Sequence, residues 1–295
     1  MNYPGVLFRD EEVMAKINAA KKVEKPIDGH APGLLGEDAL KYIQAGISTD
    51  HECFTYEEAL GKLKAGMKIL IREGSAAKNF EALIDLLPQY PSEIMFCSDD
   101  KHPDDLIEGH IDQLIVRALA KGCDLFDVLT AACINPVEHY GLEVGQLCVG
   151  DSADFVLIEN LEQFKVRATY IKGEKVAENG QSLIKSVSAE VVNQFNTSPT
   201  RPDSCNLKSD SSQVRVIQAI DCEIVTNSFS APAKMKDGLA LADTEKDILK
   251  IAVLNRYATV KPSIAFINGF GLSSGAIASC VGHDSHNIII VGVEG

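Results

Sequence analysis

Apolar and polar positions follow two rhythms along the first 140 residues. In EEVMAKINAAKKVE (11–24), Val13, Met14, Ile17 and Ala20 recur at helical spacing. KPIDGHAPG (25–33) reads as a strand running into a Gly/Pro loop. GEDALKYIQAG (36–46) is helical in pattern, and ISTDHE (47–52) is a short strand-like run ending in charge. TYEEALGKLKAG (55–66) opens with Thr55 as an N-cap and Glu58 three residues on, the spacing of a capping box. MKILIREGS (67–75) predicts strand then loop, NFEALIDLLPQ a helix, and EIMFCSDD another strand. Residues 105–122 and 124–141 carry amphipathic helical patterns. Strand, loop and helix repeating in this order mark a parallel α/β fold. Four strand-to-helix units fall between residues 25 and 122, too few for a closed eight-stranded barrel.

From about residue 143 the rhythm changes to β-type runs punctuated by Gly and Asp, as in a small β-subdomain. NTSPTRPDSCNLKSDSSQ (196–213) is polar and rich in Ser, Pro and Asp, the composition of a linker. Beyond it, VRVIQAI, CEIVT, ILKIAVLN, SIAFINGFG and NIIIVGVEG predict strands of a further α+β domain. The expected divisions are therefore 1–142, 143–195, a linker at 196–213, and 214–295.

Composition narrows the function classes. The 295 residues carry a net charge of −14, which disfavours sequence-independent nucleic-acid binding, since phosphate contact needs clustered Lys and Arg. No apolar run approaches a membrane span, and the first residues lack a signal-peptide pattern. Eight scattered cysteines with no CxxC pair argue for a reducing compartment, the cytosol. There is no GxGxxG after a strand, no GxxxxGK[ST] and no GxSxG. The H-x-E…P-C-x-x-C pattern of the base-editing zinc deaminases is missing as well.

Candidate chemistry gathers at strand ends: His30, His51, Glu73 and Asp99. In a parallel βα fold these ends share one face, so polar residues recurring there converge. Two imidazoles and a carboxylate suit Zn, Fe or Mn, although a lone histidine at a strand end is more often structural. The run MFCSDDKHPDDLIEGH (95–110) sharpens the point, because it drives an apolar strand into adjacent carboxylates. A divalent cation would offset the burial and repulsion at Asp99, which could then orient water and carry its proton. Asp104 and Asp105 are read as charging the start of the following helix, and His102, His110 and His139 as structural. A second cluster, His283, Asp284 and His286, fits either a metal- or substrate-facing loop or an ordinary polar turn.

The blocks MNYPGV, DGHAPGL, AGISTDHE, IREGSAAKN, FCSDDKHPDDLIEGHID and GAIASCVGHDSHNIIIVG together resemble the adenine deaminases of the amidohydrolase superfamily. The resemblance implies an α/β fold: the second half of a (β/α)8 TIM barrel, a small β-subdomain and a C-terminal domain. It implies that His30, His51 and Asp99 bind metal, with Asp99 also shuttling protons. Arg72, Glu73 and Ser75 would face the purine, and the loop from His283 to Asn287, with Asp284 and His286, would contribute to substrate binding. The implied cofactor is a divalent metal, manganese or iron with zinc as the alternative, binuclear in the family. The implied reaction is hydrolytic attack at C6 of adenine, releasing ammonia and hypoxanthine. A homodimer is the expected assembly, with neither nucleic acid nor membrane as partner. The family's first-strand HxH pair and bridging glutamate are not among these residues, so the sequence is read as an internal fragment, inactive or nearly so alone. Alternatives are another metal-dependent amidohydrolase, acting on cyclic amides or N-acyl bonds, and a non-catalytic module.

Overall fold

The computed structural model describes every residue except 193, 222–224, 281, 283–284 and 294–295. The chain forms two compact units, Met1–Ser186 and Val187–Gly295.

The first unit opens with helices α1 (Tyr3–Leu7), α2 (Glu11–Lys22) and α3 (Gly36–Gln44). Strand β1 (Thr49–Asp50), helix α4 (Tyr56–Lys64), β2 (Lys68–Arg72), α5 (Phe80–Leu83) and β3 (Ile94–Cys97) follow. The strands form a parallel sheet in the order β1-β2-β3, with Asp50 beside Ile69 and Arg72 beside Cys97. Their C-terminal ends therefore share one edge, where parallel sheets place ligands. Period-two alternation sends Ile69, Ile71, Ile94 and Phe96 into a core with Ala59, Leu63, Phe80 and Leu83. Burial of each large side chain contributes roughly 1.5–3 kcal/mol. The opposite face of β2 carries Leu70 and Arg72, both also buried.

The strand expected over 25–33 is reduced to a single bridge between His30 and Asn2. Pro26 and Pro32 bracket this segment and cannot donate to a ladder. It nevertheless lies against β1: Ser48 N donates to Ile27 O at 2.9 Å, and Gly29 N to Thr49 Oγ1 at 3.3 Å. A Cβ on Gly29 would stand 1.9 Å from Thr49 O, so the two backbones meet where no side chain fits.

The helix expected over 105–122 divides into α6 (Pro103–Glu108) and α7 (Ile111–Ala120). Gly109, a poor helix former, takes extended backbone between them, which makes His110 the N-cap residue of α7 instead of an interior one. The pattern over 124–141 becomes α8 (Leu125–Leu129), a π turn at Thr130–Ile134 and α9 (Asn135–Tyr140). Pro136 has no N–H for the α ladder, and the widened turn precedes it. Strands β4 (Phe155–Ile158), β5 (Val166–Ile171), β6 (Glu174–Glu178) and β7 (Gln181–Ser182) then form an antiparallel sheet in sequence order. Its β5–β6 and β6–β7 turns, Lys172-Gly173 and Asn179-Gly180, have positive φ at both residues, as two-residue hairpins prefer.

The second unit contains β8 (Leu207–Lys208), β9 (Gln213–Ala219), β10 (Thr226–Pro232), β11 (Lys234–Lys236), β12 (Leu239–Leu241), β13 (Leu249–Leu254), β14 (Ser263–Asn268), β15 (Ala276–Ser279) and β16 (Ile288–Gly292). A six-stranded sheet runs β10-β9-β14-β13-β16-β15, and a three-stranded sheet runs β11-β12-β8. The stretch 196–213, read as a linker, thus includes β8, which pairs with β12. The α+β character expected here is not seen. Among the described residues this unit has strands and 3-10 turns but no α-helix, because its inter-strand segments are short and rich in Gly, Asp and Ser.

Candidate functional site

The shared strand edge carries His51 and Asp99, and the segment lying against β1 brings His30 beside them. His30 N donates to the Tyr42 hydroxyl at 2.9 Å, and that hydroxyl donates to Met1 O, fixing the segment that presents the ring. His51 directly follows β1, with its carbonyl accepting from Asn79 Nδ2 at 3.3 Å. Buried Asn79 also receives Arg72 N at 2.7 Å and donates to Cys53 O at 2.9 Å, so one amide ties β2 to the turn after β1. Asp99 lies just beyond β3 at φ 45°, a left-handed conformation that Asp tolerates better than most residues.

The structure brings His30, His51 and Asp99 together. The imidazole centroids are 5.5 Å apart, and His51 Nε2 is 3.5 Å from Asp99 Oδ2. A residue that sequence reasoning passed over completes the group. Glu52 is buried, with Oε2 3.2 Å from His30 Nε2 and Oε1 2.8 Å from Arg72 Nη1. Arg72 Nη1 is also 2.6 Å from Asp99 Oδ2, so one buried guanidinium bridges both carboxylates. The available signal for Glu52 was its place next to His51 in TDHE, since a carboxylate beside a ligand-type histidine at a strand end shares its edge.

The other predicted residues are placed as follows. Glu73 turns away from the histidines: it accepts Phe80 N at 3.2 Å and pairs with Arg117 Nη1 at 2.6 Å. Ser75 donates to Asp105 and accepts His102 N at 2.8 Å, fastening its loop to the start of α6. His110 Nε2 meets Ser98 Oγ at 2.9 Å, one residue before Asp99. In the second unit, His286 N donates to Gly282 O, and Asn287 Oδ1 accepts Arg256 N at 3.3 Å. His283 and Asp284 lie outside the described residues.

The donor set fits a divalent cation. Ligand atoms of His30, His51 and Glu52 all lie within 4.8 Å of one another. Glu52 Oε2 is buried without a hydrogen-bond partner although an imidazole nitrogen stands beside it, as for two lone-pair donors facing a common ion. A second carboxylate group, Asp50, Cys53 and Glu58, is different, because the Lys62 ammonium already fills it. Burial drives the Cys53 thiol far upward, with the Asp50 charge adding to the effect. Burial, followed by the Asp99 charge, pushes Cys97 up to about 12. Neither thiol is a ready nucleophile. No helix among the described residues is long and apolar enough to cross a membrane.

Comparison with known proteins places this geometry in a lineage. The adenine deaminase C-terminal domain family matches residues 223–295. An adenine deaminase of Salinibacter ruber is 52% identical over 295 residues, covering 100% of this chain and 54% of that protein. One from a Sulfurovum species is 56% identical over 292 residues, covering 99% of this chain and 53% of that protein. One from Methanosarcina acetivorans is 52% identical over 303 aligned positions, covering 99% and 55% respectively. The chain spans about half the length of these relatives. With the amidohydrolase family matching residues 1–176, more than half its length and all of the histidine–carboxylate cluster, the chain belongs to the amidohydrolase family.

Proposed function

We propose that this chain takes part in a divalent-metal-dependent hydrolysis converting adenine and water to hypoxanthine and ammonia. The observation that carries the reading is 46–56% identity to adenine deaminases along 99–100% of the chain, through both units. His30, His51, Glu52 and Asp99 would hold the ion, with manganese or iron the expected metal and zinc the alternative. Such an ion, when bound, acidifies water and stabilises developing negative charge. Asp99, partly exposed at the strand end, is the group positioned to take a proton from water and pass it to the leaving amine. Arg72 acts in this reading as a positioning residue, holding the Asp99 and Glu52 carboxylates in one register. Glu73 and Ser75 serve by fixing the loops around the purine, and the loop from His283 to Asn287 supplies further substrate contacts. The first unit represents the second half of a (β/α)8 barrel with its β-subdomain, and the complete enzyme is a homodimer.

The test loads the protein with manganese, iron or zinc and measures binding and hydrolysis of three compounds: ammonia release from adenine, ring opening of a dihydropyrimidine, and release of the free amino acid from an N-acyl amino acid. Adenine is expected to raise the thermal midpoint and to be the preferred substrate of the three, turned over at a rate far below those typical of enzymes. Preference for either of the other two, or indifference to adenine in both measurements, overturns the proposal.

A further inference from the structure

Lys62 is a buried cation that the proposed chemistry does not use. It sits on α4, and its side chain is 2% exposed. Its ammonium donates to Asp50 Oδ2 at 2.6 Å, Glu58 Oε1 at 2.7 Å and Ala31 O at 2.7 Å, and meets Cys53 Sγ at 3.6 Å. Burial alone would lower this ammonium, but the Asp50 charge and the hydrogen bonds to Asp50 and Glu58 outweigh it and hold Lys62 above its ordinary value. The partners matter because of where they lie. Ala31 follows His30 in sequence, and Asp50 precedes His51. Asp50 Oδ1 accepts Glu52 N at 3.0 Å and Ala31 N at 3.4 Å, and Glu58 Oε1 accepts Gly33 N at 2.8 Å. Glu58 Oε2 accepts Phe54 N at 3.3 Å. One ammonium with two carboxylates thus grips both segments that carry His30, His51 and Glu52.

We infer that Lys62 is the positioning residue of the histidine–carboxylate cluster, setting the spacing between the His30 segment and the His51–Glu52 segment. The inference rests on reading that cluster as a cation site. Outer groups that orient metal ligands typically change affinity by about 10- to 100-fold when removed. A bystander that only fills the core would change stability and leave the affinity of the folded protein untouched.

The experiment titrates Mn2+ and Co2+ into the full chain and into two variants. Lys62→Met leaves two carboxylates buried without their cation and risks misfolding. The triple variant Lys62→Met/Asp50→Asn/Glu58→Gln keeps the shape with no stranded charge. Amide exchange at Ala31 and Gly33, and proton contacts between the His30 and His51 rings, are measured on the same metal-free samples. In whichever variant stays folded, Mn2+ affinity is expected to fall at least about 10-fold, the Co2+ absorption bands to change, and the ring contacts to weaken. Wild-type affinity and an unchanged Co2+ spectrum in a folded variant overturn the inference. If the unaltered chain binds neither ion, the cation reading fails on its own. The ring contacts then decide: lost in the variants, they sustain the positioning role, and retained, they remove it.

Discussion

The two carboxylate oxygens of Glu52 are in unlike situations. Oε1 is neutralised by Arg72 at 2.8 Å, while Oε2 lies 3.2 Å from His30 Nε2 and has no hydrogen-bond partner. Glu52→Gln therefore separates binding from folding. The amide nitrogen can donate to His30, so the metal-free protein is expected to keep its stability within about 2 kcal/mol. Loss of the carboxylate is expected to weaken Mn2+ at least about 10-fold by titration calorimetry. The thiols give a second residue-level prediction. Cys53 and Cys97 are both shifted upward by burial, so native alkylation with iodoacetamide near pH 8 should spare them and label exposed Cys148. The sign for stability follows. As pH rises above about 9 the unfolded thiols release protons that the native ones keep, so these two sites contribute a loss of stability between about pH 9 and 12. The convergence of His30, His51 and Asp99 was legible in the sequence because ligand-type residues recurred along a βα pattern, although the segment of His30 forms only a bridge. Lys62 was not. Glu58 and Lys62 sit at i,i+4, the spacing of an ordinary surface pair, and nothing local marks that face as buried.

Elements that the sequence pattern placed well share one property: their apolar spacing and their end signals agree. Thr55 caps α4 by accepting Glu58 N at 3.3 Å, as the capping-box spacing predicts, although the Glu58 carboxylate goes to Gly33, Phe54 and Lys62 instead of back to Thr55. The failures lie where apolar spacing runs on through a backbone break. Leu106, Ile107 and Ile111 keep a helical rhythm across Gly109, so α6 and α7 read as one helix. The bridge at His30 read as a strand because its apolar-polar run is that of a strand, while its pairing depends on Asn2 far away in sequence. At this scale α5 begins on Phe80, which is fully buried beneath the Arg117 guanidinium, 4.0 Å from the ring centroid. Phe80→Ala is expected to cost about 3–5 kcal/mol in denaturant unfolding, by removing core volume and the cation–π partner together.

At the scale of the molecule, the two units meet in sequence at Ser186/Val187. The described residues from 187 to 201 form no helix or strand and are nearly all exposed. Brief trypsin treatment is expected to cut first at Lys185 and to release a fragment of each unit; cleavage inside α4 or β13 before the chain is cut at Lys185 would contradict the division. Within the first unit, the bare carbon of Gly29 has a reach beyond its size. With 1.9 Å between a would-be methyl and Thr49 O, the segment carrying His30 and the strand leading to His51 already touch at this point. Even the smallest added side chain at position 29 would push the segment carrying His30 off the strand that leads to His51.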